Sequence, residues 1–473
     1  MYEDPSDVHN LTGIVDASGT VVKSWSYNAN GQVTTASLAD GLDEIAVAYP
    51  ASLTRTVTDS LGEETTYILE VQNGVVRVSS YEGPGCGAGC SDGESGSYTY
   101  TDRQQVSTRT DGVGTVTTYT YDERGNNLTE TRAFGTALAR TVTTTWNINF
   151  RKPLTVTRRS VTAGKSRVAS YTYDAKGNVL TKTISGWYGT TPLSATTTYI
   201  YDSLGRLLTV DGPRTDVNDI TTLSWYPNTP DQGNNRGQLH TVTNALGHTV
   251  TYSNYTALGK PGTITDANNL VTTFAYNLQG EVVSTTTDGI TATYTRDAAG
   301  RVTVITVPGA GTLTLTYAGD LVTAVTDSSG NTIRYTHDSQ GRRIGQSLHD
   351  PQNTLTRSLS MAYSAAGNLN RITYPDTAVY EYTHDGTSRL IEALDPTGLD
   401  MVIDRDGLGR VLSVTEGGVA TRTYAYDNQD NLVSATDAAG NTTTYTYDDL
   451  GHVRSVSSPD TGLSTYAYYY SDT

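Results

Sequence analysis

Residues 436–460 read TDAAGNTTTYTYDDLGHVRSVSSPD, with Asp-x-x-Gly twice, at Asp437–Gly440 and Asp448–Gly451, and Tyr445-Thr446-Tyr447 leading into the second copy. Asp suits the first position of a reverse turn, because its carboxylate accepts the backbone N–H groups ahead of it. Gly three residues later supplies the left-handed backbone that returns the chain to a strand through a bulge. Between the two turns, NTTTYTY reads as a strand. Thr and Tyr fit a pleated, half-wet surface, and Tyr445 and Tyr447 must share one face. The stretch is one β-hairpin of two short strands.

The same unit recurs along the chain. Tyr-Asp-x-x-Gly stands at Tyr121–Gly125, Tyr173–Gly177, Tyr201–Gly205 and Tyr447–Gly451. Looser copies are YNANGQV from Tyr27, YTALGKP from Tyr255, YNLQGEV from Tyr276 and RDAAGRV from Arg296. Others are HDSQGRR from His337, YSAAGNL from Tyr363, RDGLGRV from Arg405 and YDNQDNL from Tyr426, where Asp430 replaces the glycine. Gly367, Gly409 and Gly451 are 42 residues apart, two periods of about 21. The turn chemistry predicts positive φ at Gly125, Gly177, Gly205, Gly300, Gly341, Gly409 and Gly451.

The pattern Tyr-Asp-x-x-Gly-Arg-Leu, then Thr-Asp-x-x-Gly-x-x-Thr-x-Tyr-x-Tyr-Asp, resembles the YD (Rhs) repeat. TTTWNINFRKPLTVT (Thr143–Thr157) is similar to a linker stretch of bacterial Rhs proteins. The resemblance runs from Tyr119 to Tyr470. It divides the chain into divergent YD-like repeats over 1–118 and a repeat array over 119–473. Such repeats build Rhs polymorphic toxins, cocoon subunits of insecticidal toxin complexes and the barrel of teneurins. The resemblance implies an all-β antiparallel meander that spirals into a shell segment around a cargo polypeptide. The implied partners are a toxin domain of the same longer protein and its delivery apparatus. The Arg-Tyr-Tyr-Asp-Pro-x-x-Gly-Arg-like core motif, by which family members cleave themselves, has no counterpart here. EALDPTGLDMVIDRDGLGR reads instead as two turns flanking a short strand, so no catalytic residue is carried over.

Composition agrees with a thin wall. Of 473 residues, 36% are hydrophobic even with tyrosine counted, and 33 Tyr stand against 3 Phe and 4 Trp. A closed globule could bury Phe, whereas a sheet wet on both faces favours Tyr and Thr. At about eleven residues per strand and turn, the chain makes roughly forty strands, and a sheet that size must curl. The net charge of −17 argues against nucleic acid or an anionic membrane surface as a partner. No apolar run is long enough to span a bilayer, and MYEDPSDVHN is no signal peptide. Both ends fall within repeat-like sequence, so the chain is expected to be a piece of a longer, secreted or cell-surface protein.

Candidate chemistry is sparse. Cys86 and Cys90 form C-x3-C, which permits an unpaired state, a local disulfide or half a zinc site. His337 and His384 precede Asp at the usual tyrosine position and read as aromatic substitutes. Asp122, Asp174, Asp202, Asp437 and Asp448 are needed as turn residues, which leaves no pair for glycosidase or aspartyl-protease chemistry. DANNL (Asp266–Leu270) and DNQDN (Asp427–Asn431) are oxygen-rich but lack the EF-hand spacing. The sequence therefore predicts no catalytic, metal or cofactor residue. A sugar-binding or adhesion surface of exposed tyrosines is the alternative to a shell. YEGPGCGAGCSDGESGSY (Tyr81–Tyr98) and Asp211–Leu239 read as irregular loops.

Overall fold

The computed structural model describes the chain except residues 3, 5–6, 16–18, 20, 39–42, 85–94 and 469–473. Cys86, Cys90 and much of the first irregular loop lie outside the described residues. The described residues form forty strands in one open antiparallel sheet. Among the described residues the helical element is Pro230–Asn235, 3-10 backbone interrupted at Gly233 (φ 55°). Strands run from three residues, as at Gly13–Val15, to eleven at Thr191–Tyr201.

The chain divides into two compact units. One comprises Met1–Gln104, Arg109–Gly114 and Ala275–Met401; the other comprises Gln105–Thr108, Thr115–Phe274 and Val402–Thr473. Within each, strands pair with their neighbours in sequence, as period-2 patterning and short turns dictate. In the second unit, for instance, Ala420–Tyr426 pairs with Leu432–Thr436, which pairs with Thr442–Tyr447, which pairs with Val453–Ser458.

The seven glycines predicted to be left-handed all are, with φ between 78° and 93°. Where glycine is missing, another residue takes the conformation, as Asp430 does at φ 67°. The bulge also appears. Thr446 faces Ser455 but Tyr447 faces Val453, so the register shifts between them.

Among the described residues there is no conventional hydrophobic core. Among the described residues, the buried hydrophobic ones are Ala133, Ala169 and Tyr255. Cohesion comes from the hydrogen-bonded ladder and from cross-strand pairs on its faces. Threonine hydroxyls meet across strands at Thr120–Thr129 (2.6 Å), Thr145–Thr155 (2.7 Å) and Thr436–Thr442 (2.8 Å).

The reading of Asp211–Leu239 as one loop is corrected. It contains the strand Thr221–Trp225, which pairs with Leu207–Asp211 and Leu239–Thr243. Trp225 occupies the place that Tyr holds in other repeats, and a longer turn replaces Asp-x-x-Gly. That turn closes where the Tyr226 N–H donates to the Gln238 carbonyl (2.9 Å).

Candidate functional site

The repeated turn is a three-part clasp. At Asp202–Gly205 the Asp202 N–H donates to the Arg206 carbonyl (2.9 Å), and the Gly205 N–H donates to the Asp202 carbonyl (3.0 Å). Asp202 Oδ1 accepts the backbone N–H groups of Leu204 and Arg206, both at 2.9 Å, while Oδ2 accepts Arg206 Nε at 2.7 Å. The Arg206 guanidinium in turn lies 5.3 Å from the Trp225 ring centre, and Trp225 Nε1 donates to the Leu207 carbonyl (2.8 Å). One turn thus holds the aromatic residue that introduces the next. The same relay joins Asp297, Arg301 and Tyr317, and joins Asp338, Arg342 and Tyr363. Asn replaces Arg at Asn178 and Asn441, whose amides reach Asp174 and Asp437 at 2.9 Å.

The tyrosine hydroxyl completes the clasp. Tyr121 donates to the Val106 carbonyl (2.8 Å), Tyr317 to Val302 (2.7 Å) and Tyr363 to Arg343 (2.9 Å). Each acceptor lies two residues past the left-handed position of the previous turn, at the start of the adjacent strand. That strand carries aliphatic and cationic residues between equivalent aromatic positions, as Val302–Val307 and Arg343–His349 show. Burial pushes the phenols of Tyr121, Tyr173 and Tyr447 above their ordinary pKa. The turn carboxylates move down. The Arg206 backbone N–H and then its guanidinium hold Asp202 low, while the Asn441 amide does so for Asp437.

In the second unit one turn does more than turn. Asp448 and Asp449 are both 0% exposed. Asp448 closes its own loop and lies 2.8 Å from the Arg454 guanidinium. Asp449 points instead at residues 262 to 289 positions earlier and at Gln429 of the preceding turn. Its Oδ2 accepts Ser160 Oγ (2.5 Å) and the Trp187 N–H (2.7 Å), and its Oδ1 accepts the Val161 N–H (2.8 Å) and Gln429 Nε2 (2.5 Å). Its backbone N–H donates to the Trp187 carbonyl (3.1 Å), and its carbonyl accepts Arg167 Nε (2.6 Å). A buried charge is tolerable only with such dense donation.

Gly186 makes room for this contact: a Cβ there would fall 2.2 Å from Asp449 Cβ. Arg140 adds an ion pair to Asp430 and a bond to the Asp427 carbonyl (2.9 Å), and Thr115 Oγ1 donates to the Gly407 carbonyl (2.8 Å). Segment 402–473 is thereby locked onto 115–274. The first unit has its own seam. Gln340 bonds Asp59, and Ser339 Oγ donates to the Ser60 carbonyl (2.9 Å).

The residues weighed for chemistry are dispersed. His337 and His384 each end a strand before their turn, facing Arg343 and Leu390. Asp122, Asp174, Asp202, Asp437 and Asp448 each sit in a separate turn and bond within it. In DANNL and DNQDN, Asp266 and Asp427 spend Oδ1 on their own turns' N–H groups. Among the described residues no three His, Cys, Asp or Glu gather as a metal site, and no helix is long and apolar enough to cross a membrane. The sequence reading missed Asp449 and its receptors. One local signal existed, an isolated glycine inside the strand Val179–Tyr188, which often marks close approach of another backbone.

Comparison with known proteins places this architecture. The RHS Repeat family matches residues 6–43, 317–355, 405–442 and 426–465, so these segments carry Rhs repeats. No curated protein matches it by sequence. Among solved structures, the chain is similar to the TcdB2-TccC3 crystal structure, with TM-score 0.56, 16% identity, and coverage of 98% of this chain and 29% of that one. It is also similar to the Photorhabdus luminescens Tc holotoxin pore bearing a TccC3 substitution, with TM-score 0.53, 15% identity, and coverage of 90% and 26%. The likeness is one of fold, and this chain spans little more than a quarter of those chains.

Proposed function

For a chain that carries Rhs repeats, we propose the role of a wall segment in a β-shell that sequesters a C-terminal toxin polypeptide of the same longer protein before delivery. The observation that carries this reading is where the motif residues are spent. Asp, Arg and Tyr, the groups that could otherwise meet a ligand, bind their own turn, the next aromatic ring and the neighbouring strand. Such a repeat makes a coherent sheet without a core, which is what an enclosing wall needs. The role is non-catalytic: the wall excludes proteases sterically and holds its cargo apart from its target. Secretion or surface delivery, and contact with a delivery apparatus, follow from that role.

The adhesion alternative needs tyrosine rings and hydroxyls free for sugars. The motif hydroxyls of Tyr121, Tyr173, Tyr255, Tyr317 and Tyr363 donate to backbone carbonyls instead. The test is protease digestion of the whole reading frame. The C-terminal polypeptide should survive protease that degrades it when it is expressed alone. Equal rates of digestion in the two settings would reject sequestration, and saturable quenching of tyrosine fluorescence by oligosaccharides would favour adhesion.

A further inference from the structure

Four consecutive strands of the second unit, Asn127–Arg132, Arg140–Trp146, Pro153–Arg159 and Ser166–Tyr173, carry an unusual charge pattern. Arg132 stands directly opposite Arg140, and Arg158 directly opposite Arg167. Like charges so placed destabilise a sheet. The registers of Glu130 with Val142 and of Thr143 with Thr157, with the period-2 alternation of side chains, put all four arginines on one face around Val142. Together with Glu130, Arg159 and the turn Asn428–Asp430 they line a cleft of about 360 Å³, in which five arginines outnumber the two carboxylates Glu130 and Asp430.

Two of the four are committed to the seam, Arg140 to Asp430 and Arg167 to the Asp449 carbonyl. The guanidinium groups of Arg132 and Arg158 have no hydrogen bond or ion pair among the described residues. Burial, and then the adjacent Arg158 charge, lower the pKa of Arg167. A concentration of guanidinium groups in a chain of net charge −17 is a local inversion of sign.

We propose that this cleft binds a multivalent oxyanion, whose negatively charged oxygens bridge the Arg132–Arg140 and Arg158–Arg167 pairs. Guanidinium forks match carboxylate and phosphate oxygens bidentately, and a bridging anion turns each like-charge pair into an attraction. The surrounding negative charge disfavours a long polyanion, so the ligand is a short one that the cleft encloses. Two sources share this chemistry: neighbouring carboxylates on an acidic polypeptide segment, and a free phosphate-type anion.

The test is calorimetric titration of the intact chain at low ionic strength with inorganic pyrophosphate and, separately, a hexaglutamate peptide. The parent should bind at least one probe saturably at one site. An R132Q/R158Q variant, which touches no bond of the seam, should bind about tenfold more weakly while keeping its circular dichroism spectrum. Pyrophosphate binding alone identifies a free anion, and peptide binding that equals or exceeds it identifies an acidic segment. Should the double variant misfold, Arg132→Gln alone, on an exposed side chain, should still weaken binding several-fold. Failure of both probes to bind, or equal binding by parent and variants, would overturn the proposal.

Discussion

Asp437–Gly440 and Asp448–Gly451 are one turn written twice, eleven residues apart. In both, the glycine N–H donates to the aspartate carbonyl, at 3.0 and 3.1 Å, and the aspartate N–H donates to the carbonyl four residues on, at 2.9 and 3.1 Å. Yet Asp437 is exposed and Asp448 is fully buried. The difference lies at the second position, Ala438 in one turn and Asp449 in the other. The motif residues fix the backbone; the variable residue between them decides whether the turn ends in water or fastens a distant segment.

The largest effect should come from removing that residue. Asp449→Ala leaves the N–H groups of Val161 and Trp187 and the Ser160 hydroxyl without their acceptor. It should lower stability by about 3 kcal/mol or more, because each buried unpaired group costs about 1–3 kcal/mol. Ala438→Asp, at the matching exposed position, should stay within about 0.5 kcal/mol of the parent. Denaturant midpoints of the two variants make the comparison directly. Equal midpoints would dissolve the distinction between the turns.

Gly186→Ala attacks the same lock from the other side. A methyl group 2.2 Å from Asp449 Cβ should cost about 1–3 kcal/mol by overpacking. Combined with Asp449→Gly, which removes that Cβ, it should cost much less, since the clash is then relieved, and a double-mutant cycle reads that coupling.

Gly451→Val and Gly440→Val test what the turns share. Neither site has an atom within 4 Å of a new Cβ, so the cost is left-handed backbone strain in both, at φ 93° and 86°. Each should lose about 1–2 kcal/mol, and by similar amounts. An unchanged midpoint for either would refute its turn assignment.

Smaller still is Tyr173→Phe. It keeps the ring but removes the bond to the Pro153 carbonyl (2.6 Å), and should cost about 1 kcal/mol by thermal or denaturant unfolding.

Much of this was legible in the sequence. Strand number, turn positions and left-handed glycines all follow from the Asp-x-x-Gly spacing, because those interactions close within five residues. The aromatic-to-cationic relay rests on Arg206 and Arg342 following their glycines, whereas Asn178 and Asn441 take that place in other turns. The seam was not legible. Asp449 looks like any residue after a turn aspartate, and its receptors Ser160, Val161 and Trp187 carry no motif. The strand at Thr221–Trp225 was missed for a related reason: Trp225 stands in for Tyr, and the following turn lacks Asp-x-x-Gly, so no punctuation announced it.

Turn carboxylates and motif tyrosines also set a pH dependence. Asp437 and Asp174 have pKa values lowered from 3.8, chiefly by the Asn441 and Asn178 amides. Their stabilisation is therefore present above the unfolded value and lost as pH falls through the lower folded value. Burial raises Tyr447 above 10.0, so its contribution holds below that pH and is lost as pH rises through the folded value. Unfolding midpoints should form a plateau between these limits and fall at both ends.

The central claim, that one turn locks two distant segments while its twin does not, is tested most directly by amide hydrogen exchange in the parent and in Asp449→Ala. The Val161 and Trp187 amides should exchange slowly in the parent and much faster in the variant, while the amides of the Asp437–Gly440 turn remain unchanged. Val161 and Trp187 amides that exchange at the same rate in both proteins would contradict it.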